Sequence, residues 1–151
     1  MAELSPWMPW CHPGYSIDDS RSWLETQVAA FRQRATFEFA IESGHGAYLG
    51  GCGLNQIDRV NGRANLGYWV RSAASGHGVA TAAVRLLQDW GFQNTDLARF
   101  EIVIAVGNVA SHRVAEKSGA TREGTLRSRL LLHGTHHDAT MFSFIRCIAH
   151  R

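Results

Sequence analysis

The sequence predicts an α/β (α+β) fold, with the strands of a mixed sheet alternating with amphipathic helices. Three stretches predict it. Residues 65–70 read as a buried strand that runs through a glycine loop into a helix over 81–92, then into a second strand over 99–106. Residues 37–57 read as a hairpin, because Phe37, Phe39 and Ile41 alternate with polar or small residues before the turn Ser43-Gly44-His45-Gly46. Residues 121–132 and 138–148 read as two long strands joined by His133-Gly134-Thr135-His136-His137.

Length and charge bound the rest. A chain of 151 residues is expected to form one domain over 1–151, large enough to bury a core without staples. A net charge of +2, from scattered Lys and Arg, argues against nucleic acid as a partner. Cys11, Cys52 and Cys147 show no Cys-x-x-Cys spacing and are read as thiols in a reducing compartment. No basic leader precedes an apolar core, and no apolar run nears the roughly 20 residues that span a bilayer. The expectation is a cytoplasmic protein without membrane contact.

In chain order, residues 1–15 hold all three prolines, Pro6, Pro9 and Pro13, with Trp7 and Trp10 between them, which predicts a rigid, aromatic, non-helical segment. Ser16 with Asp19 three residues on starts a helix whose Leu24, Val28 and Phe31 predict one buried face. Gly50, Gly51 and Gly53 weaken the second strand of the hairpin and suggest a close approach by another backbone or a ligand, with Asn55 beyond them. Asp58 to Gly62 makes a turn. The helix from Thr81 is expected to bury Ala83, Leu86, Leu87 and Trp90. The histidines of the last turn lack a fourth ligand at helical spacing, so no metal site is expected.

Ser75-Gly76-His77-Gly78-Val79-Ala80-Thr81 carries the chemical signal. Two glycines let backbone N–H groups crowd around an anion, and the helix beginning there adds its unpaired N–H groups and the positive end of its dipole. The anion implied is a diphosphate or similar group; the competing reading is a plain strand-to-helix turn.

Gly67-Tyr68-Trp69-Val70, Ser75 to Ala80, Asn108-x-x-Ser111-x-x-Val114-Ala115-Glu116-Lys117-x-Gly119-Ala120, and Glu123-Gly124-x-Leu126-Arg127 follow one another at a spacing that resembles the GNAT N-acetyltransferases, in their RimJ/RimL-like branch. The resemblance runs from about Trp7 to about Arg146. It implies the GNAT fold, a mostly antiparallel sheet with splayed central strands, here without the usual first strand, which leaves an edge that favours pairing with a second subunit as a homodimer. It implies acetyl-CoA as cofactor, held by Gly76, His77, Gly78, Val79, Ala80 and Thr81 at its diphosphate and by the backbone of Trp69 and Val70 along its pantetheine arm. Arg71, Asn108, Ser111 and Lys117 complete the cofactor set, and Trp7, Trp10 and Asn55 border the acceptor groove.

The activity implied is transfer of an acetyl group to a primary amine, on a protein N-terminus, ribosomal-protein-like, or on a small molecule. Ser111 is the candidate catalytic residue, protonating the departing sulfur where other members use a tyrosine at the position of Ala115; the competing reading is that Ser111 caps its helix. Asn65 and Leu130 stand where a basic carboxylate is often found. The proton acceptor is therefore left among Glu101, Glu38, His112 and solvent. Ser75 replaces a usual Arg or Gln, which predicts weaker cofactor binding. Transfer of another acyl group, or a non-catalytic CoA-binding module on the same fold, are the alternatives.

Overall fold

A computed structural model describes residues 4–147; residues 1–3 of the N-terminal segment and Ile148 of the last predicted strand lie outside them. The elements are α1 (Ile17–Arg32), β1 (Phe37–Glu42), β2 (Tyr48–Asp58), β3 (Arg63–Val70), α2 (Val79–Asn94), β4 (Arg99–Ala105), α3 (Val109–Ser118), β5 (Thr121–Leu132) and β6 (Thr135–Ile145), with a short 3-10 turn at Ser72–Ala74. The sheet order is β1-β2-β3-β4-β6-β5. Every neighbouring pair is antiparallel except β3 with β4.

Alternation along the strands sorts the side chains onto two faces. Leu54 of β2, Ala64 and Leu66 of β3, Phe100, Ile102 and Ile104 of β4, and Phe142 and Phe144 of β6 form the core with Ala83, Val84 and Leu87 of α2 and Ala115 of α3. Phe31 of α1 meets Phe37, Phe39 and Trp90 edge-on or tilted, so α1 lies on the same side. A Cβ on Gly91 would stand 2.6 Å from the Phe100 ring, so this glycine sets how closely α2 seats on the sheet. The other, open face carries Glu38, Asn55, Asn65, Gly67, Trp69 and Glu101.

Several local expectations change. The Ser16–Asp19 capping box forms, with Asp19 Oδ2 accepting from Ser16 N at 2.7 Å, but α1 has no buried residue. Leu24 and Val28 are 57% and 58% exposed, because among the described residues only the Phe31 end of the helix rests on the sheet. Leu86 is 70% exposed and Trp90 half-buried instead of core; both line a 470 Å³ apolar cavity beside Phe39, Ile41 and Leu49. The helix begins at Val79, two residues early, since Gly78 serves as its N-cap. The last hairpin turn needs only His133 and Gly134, whose φ of 49° and 81° give a two-residue turn of the left-handed kind. His136 and His137 therefore belong to β6.

Candidate active site

β3 and β4 pair at three positions only, Arg63 with Arg99, Ala64 with Phe100 and Asn65 with Glu101. Beyond Asn65, β3 continues beside β2 to Val70 and β4 continues beside β6 to Ala105. The strands part, and the backbone groups along the inner edges of residues 66–70 and 102–105 line the gap.

The glycine loop stands where β3 leaves the sheet. Gly76 and Gly78 hold φ of 79° and 78°, values that glycine adopts without a Cβ clash. No side chain among the described residues caps α2. Its first helical bond joins Ala82 N to Gly78 O at 3.0 Å, which leaves the N–H groups of Val79, Ala80 and Thr81 directed out of the helix end. A Cβ built on either glycine meets nothing within 4 Å. This open space, ringed by amide donors at a positive helix end, fits a diphosphate. His77 is exposed on the same loop, and Arg71 is exposed beside it, its guanidinium donating to the Tyr48 carbonyl at 3.2 Å.

On α3, the cap is Asn108, whose Oδ1 accepts from Ser111 N at 3.1 Å. The capping role considered for Ser111 thus belongs to Asn108. Ser111 Oγ lies 2.8 Å from Tyr68 Oη, and the tyrosine hydroxyl also lies 2.9 Å from the Ser111 carbonyl. Burial pushes the Tyr68 hydroxyl up to about 12, so it stays protonated. The sequence does not single out Tyr68, because a tyrosine in a strand reads as core; its signal is a hydroxyl on the inward-facing register. Lys117 is exposed near the end of α3, its carbonyl accepting from the Arg85 guanidinium.

On the open face, Trp10 meets Trp69 of β3 at 5.6 Å between ring centroids, and the Trp7 ring comes within 3.3 Å of a Cβ built on Gly107, just past β4. The two tryptophans therefore flank the gap from opposite strands. The turn of the last hairpin anchors this segment, since His133 Nε2 lies 2.6 Å from the Ser5 carbonyl.

A polar ladder crosses three strands beneath them. Asn65 Nδ2 donates to Asn55 Oδ1 at 2.9 Å, and Asn55 Nδ2 donates to Glu38 Oε1 at 3.1 Å. Burial raises the Glu38 carboxyl above its usual range and the Asn55 hydrogen bond only partly offsets it. Glu101 is differently placed: Arg99 and Arg63 each donate to one of its oxygens, at 2.8 and 3.0 Å. Arg99 also grips Glu123 at 2.7 and 2.5 Å, and Ser143 donates to the same carboxylate, which holds Glu123 down to about 2. His112 points to the helical side, its ring against Phe142 and its Nε2 buried without a hydrogen-bond partner among the described residues.

A sheet opened between two parallel strands, with helix-end amides at the mouth and hydroxyls at the gap, fits an N-acetyltransferase. The chain belongs to the GNAT acetyltransferase family: residues 1–121 match its acetyltransferase (GNAT) domain. Among its relatives is "Putative ribosomal N-acetyltransferase YdaF" of Bacillus subtilis (strain 168), 34% identical over 146 residues, or 95% of this chain and 78% of the relative. The fold matches the microcin self-immunity acetyltransferase MccE in complex with acetyl-CoA and AMP, at a TM-score of 0.86 and 27% identity over 96% of this chain and 80% of that one. It matches equally RimL, a ribosomal alpha-N-protein acetyltransferase in complex with coenzyme A, at 0.86 and 25% identity over 95% and 81%.

Proposed function

We propose that this chain, as one domain, moves an acetyl group from acetyl-CoA to a primary amine, on a protein N-terminus or a small molecule. The observation that supports this best is the gap between β3 and β4 with the glycine loop at its mouth. Acetyl-CoA, when bound, supplies an acetyl thioester that an amine can attack directly. Residues 76–81 would hold its diphosphate, and the inner backbone edge at Trp69 and Val70 would pair with its pantetheine amides as an added strand does. Arg71, Asn108 and Lys117 would complete that hold.

Ser111 is the proton donor to the departing sulfur in this reading, and Tyr68 is the positioning residue that fixes its hydroxyl. Trp7 and Trp10 form the walls through which the acceptor enters, and Asn55 acts behind them through Glu38. The relatives named for ribosomal N-acetylation support a protein N-terminus as one acceptor class. Incubation with acetyl-CoA and a panel of primary amines, including peptides with a free N-terminus, should release free thiol in step with amide formation. Acetyl-CoA binding without thiol release for any amine would overturn the reading in favour of a CoA-binding module.

A further inference from the structure

Glycines Gly51, Gly53 and Gly67 leave the open face bare beside the gap, and two side chains lie down over it. A Cβ on Gly53 would fall 2.0 Å from Glu38 Oε2, so the carboxylate sits directly above that glycine. A Cβ on Gly51 would fall 2.9 Å from Trp69 Nε1, so the indole lies one step further along β2. Gly53 pairs with Gly67. The space above Gly67 is therefore one strand spacing, about 4.8 Å, from the space the carboxylate occupies. A Cβ on Gly67 meets only the amide nitrogens of Asn65 and Asn55, at 3.7 and 3.8 Å. Gly67 is also the second residue past Asn65, where β3 and β4 separate.

The space above Gly67 thus lies between the Glu38 carboxylate, one strand spacing away across β2, and the gap on the side of β4. No cation pairs with Glu38 among the described residues, whereas both oxygens of Glu101 are taken by arginines. We propose that Glu38 receives the acceptor as an ammonium group above Gly67 and takes its proton, so that the neutral amine forms at the edge of the gap. This rests on the acetyltransferase reading above and supplies the base that the asparagine at position 65 cannot be. The Asn65–Asn55 ladder orients the carboxylate.

The protons and electrons balance. Glu38 takes one proton from the ammonium, freeing the nitrogen lone pair. That pair forms the bond to the acetyl carbon while the carbon–sulfur bond breaks and its electrons go to sulfur. A second nitrogen proton reaches sulfur by way of Ser111, the third stays on the amide, and Glu38 returns its proton to solvent. Ammonium and thioester become amide, thiol and one released proton.

Cys52 feels the Glu38 charge: its thiol is pushed up to about 11 by burial and then by Glu38, so it remains neutral through the working range. Asn55 and Asn65 carry no charge. A carboxylate desolvated in this way titrates closer to neutrality than a surface one, which suits a base.

The test compares wild type with Glu38→Gln and Glu38→Asp. Glutamine is isosteric and its side-chain oxygen still accepts from Asn55, so the ladder is kept. Acetyl-CoA affinity by calorimetry should stay within about twofold in all three. Thiol release at saturating acetyl-CoA, with n-butylamine and a tetrapeptide amide bearing a free N-terminus, should fall about 10²-fold in kcat/KM for the glutamine variant. Wild-type activity should fall as the pH drops through the Glu38 titration, a limb absent from E38Q, and Glu38→Asp should regain part of both. Calorimetric binding of n-butylammonium to the protein loaded with coenzyme A should weaken at least tenfold in E38Q. Wild-type kcat/KM and an unchanged acid limb in E38Q would overturn the proposal while leaving the acetyltransferase reading intact. Absence of thiol release from wild type itself would instead remove that reading, whereas unchanged n-butylammonium binding in E38Q would remove the Glu38 site alone.

Discussion

At the scale of single residues, the arrangement separates two carboxylates that look alike in sequence. Glu38 is half-buried with one amide partner, and Glu123 is held by a two-pronged guanidinium and a serine hydroxyl. The second predicts a pH dependence of stability. Its folded value near 2 lies below the usual 4.5, so its contribution is fully present above about 4.5 and is lost as the pH falls towards 2. Glu123→Gln should flatten that part of an acid-denaturation curve followed by circular dichroism; an unchanged curve would show the pair contributes nothing. Ser111→Ala should lower kcat about 10²-fold with acetyl-CoA affinity nearly intact, measured by thiol release and calorimetry. Tyr68→Phe should cost about tenfold in kcat and about 1 kcal/mol of stability, since it removes the hydroxyl that fixes Ser111 but not the donor itself.

Among the elements, α2 joins the core to the glycine loop proposed to hold the diphosphate. Its inner side, with Ala83, Val84, Leu87 and Gly91, fixes it on the sheet, and its N-terminus then points at whatever the loop holds. Gly78→Glu forces a side chain onto a φ of 78° and projects a negative charge into the space left for an anion. Acetyl-CoA affinity should drop at least about 10²-fold by calorimetry, the loss of two charge-assisted hydrogen bonds. Retained affinity would exclude the loop as the diphosphate site. The helix boundaries were legible because capping is local: Ser16 and Asp19 lie one turn apart, and Gly119 ends α3 with φ of 93°. Burial was not. Periodicity gives a helix an apolar side but not a neighbour, so Leu24, Val28 and Leu86 could not be read as exposed.

For the molecule as a whole, the chain exposes 9517 Å², against about 7,600 Å² for a folded monomer of this size. Beside β1, which forms one edge of the sheet, α1 shows Ile17, Trp23, Leu24 and Val28 to solvent. We propose that a second copy covers this edge, as the unpaired strand groups of β1 favour. Sedimentation equilibrium should give a dimer, and Ala40→Lys, at an exposed position on β1, should shift it towards monomer; a monomer at micromolar concentration would remove the proposal.

The order of motifs, the glycine loop before a helix and the Asn-x-x-Ser start of α3 each depend on neighbours within a few residues, and the linear chain therefore determined them. The family followed from that. What only the folded sheet decided is which distant side chains meet: Tyr68 with Ser111 across the gap, and Glu38 with Asn55 and Asn65 through the register of three strands. Strand register is fixed by the turns and bulges between those residues and by the core beneath them, and a shift of one position would send each side chain to the opposite face.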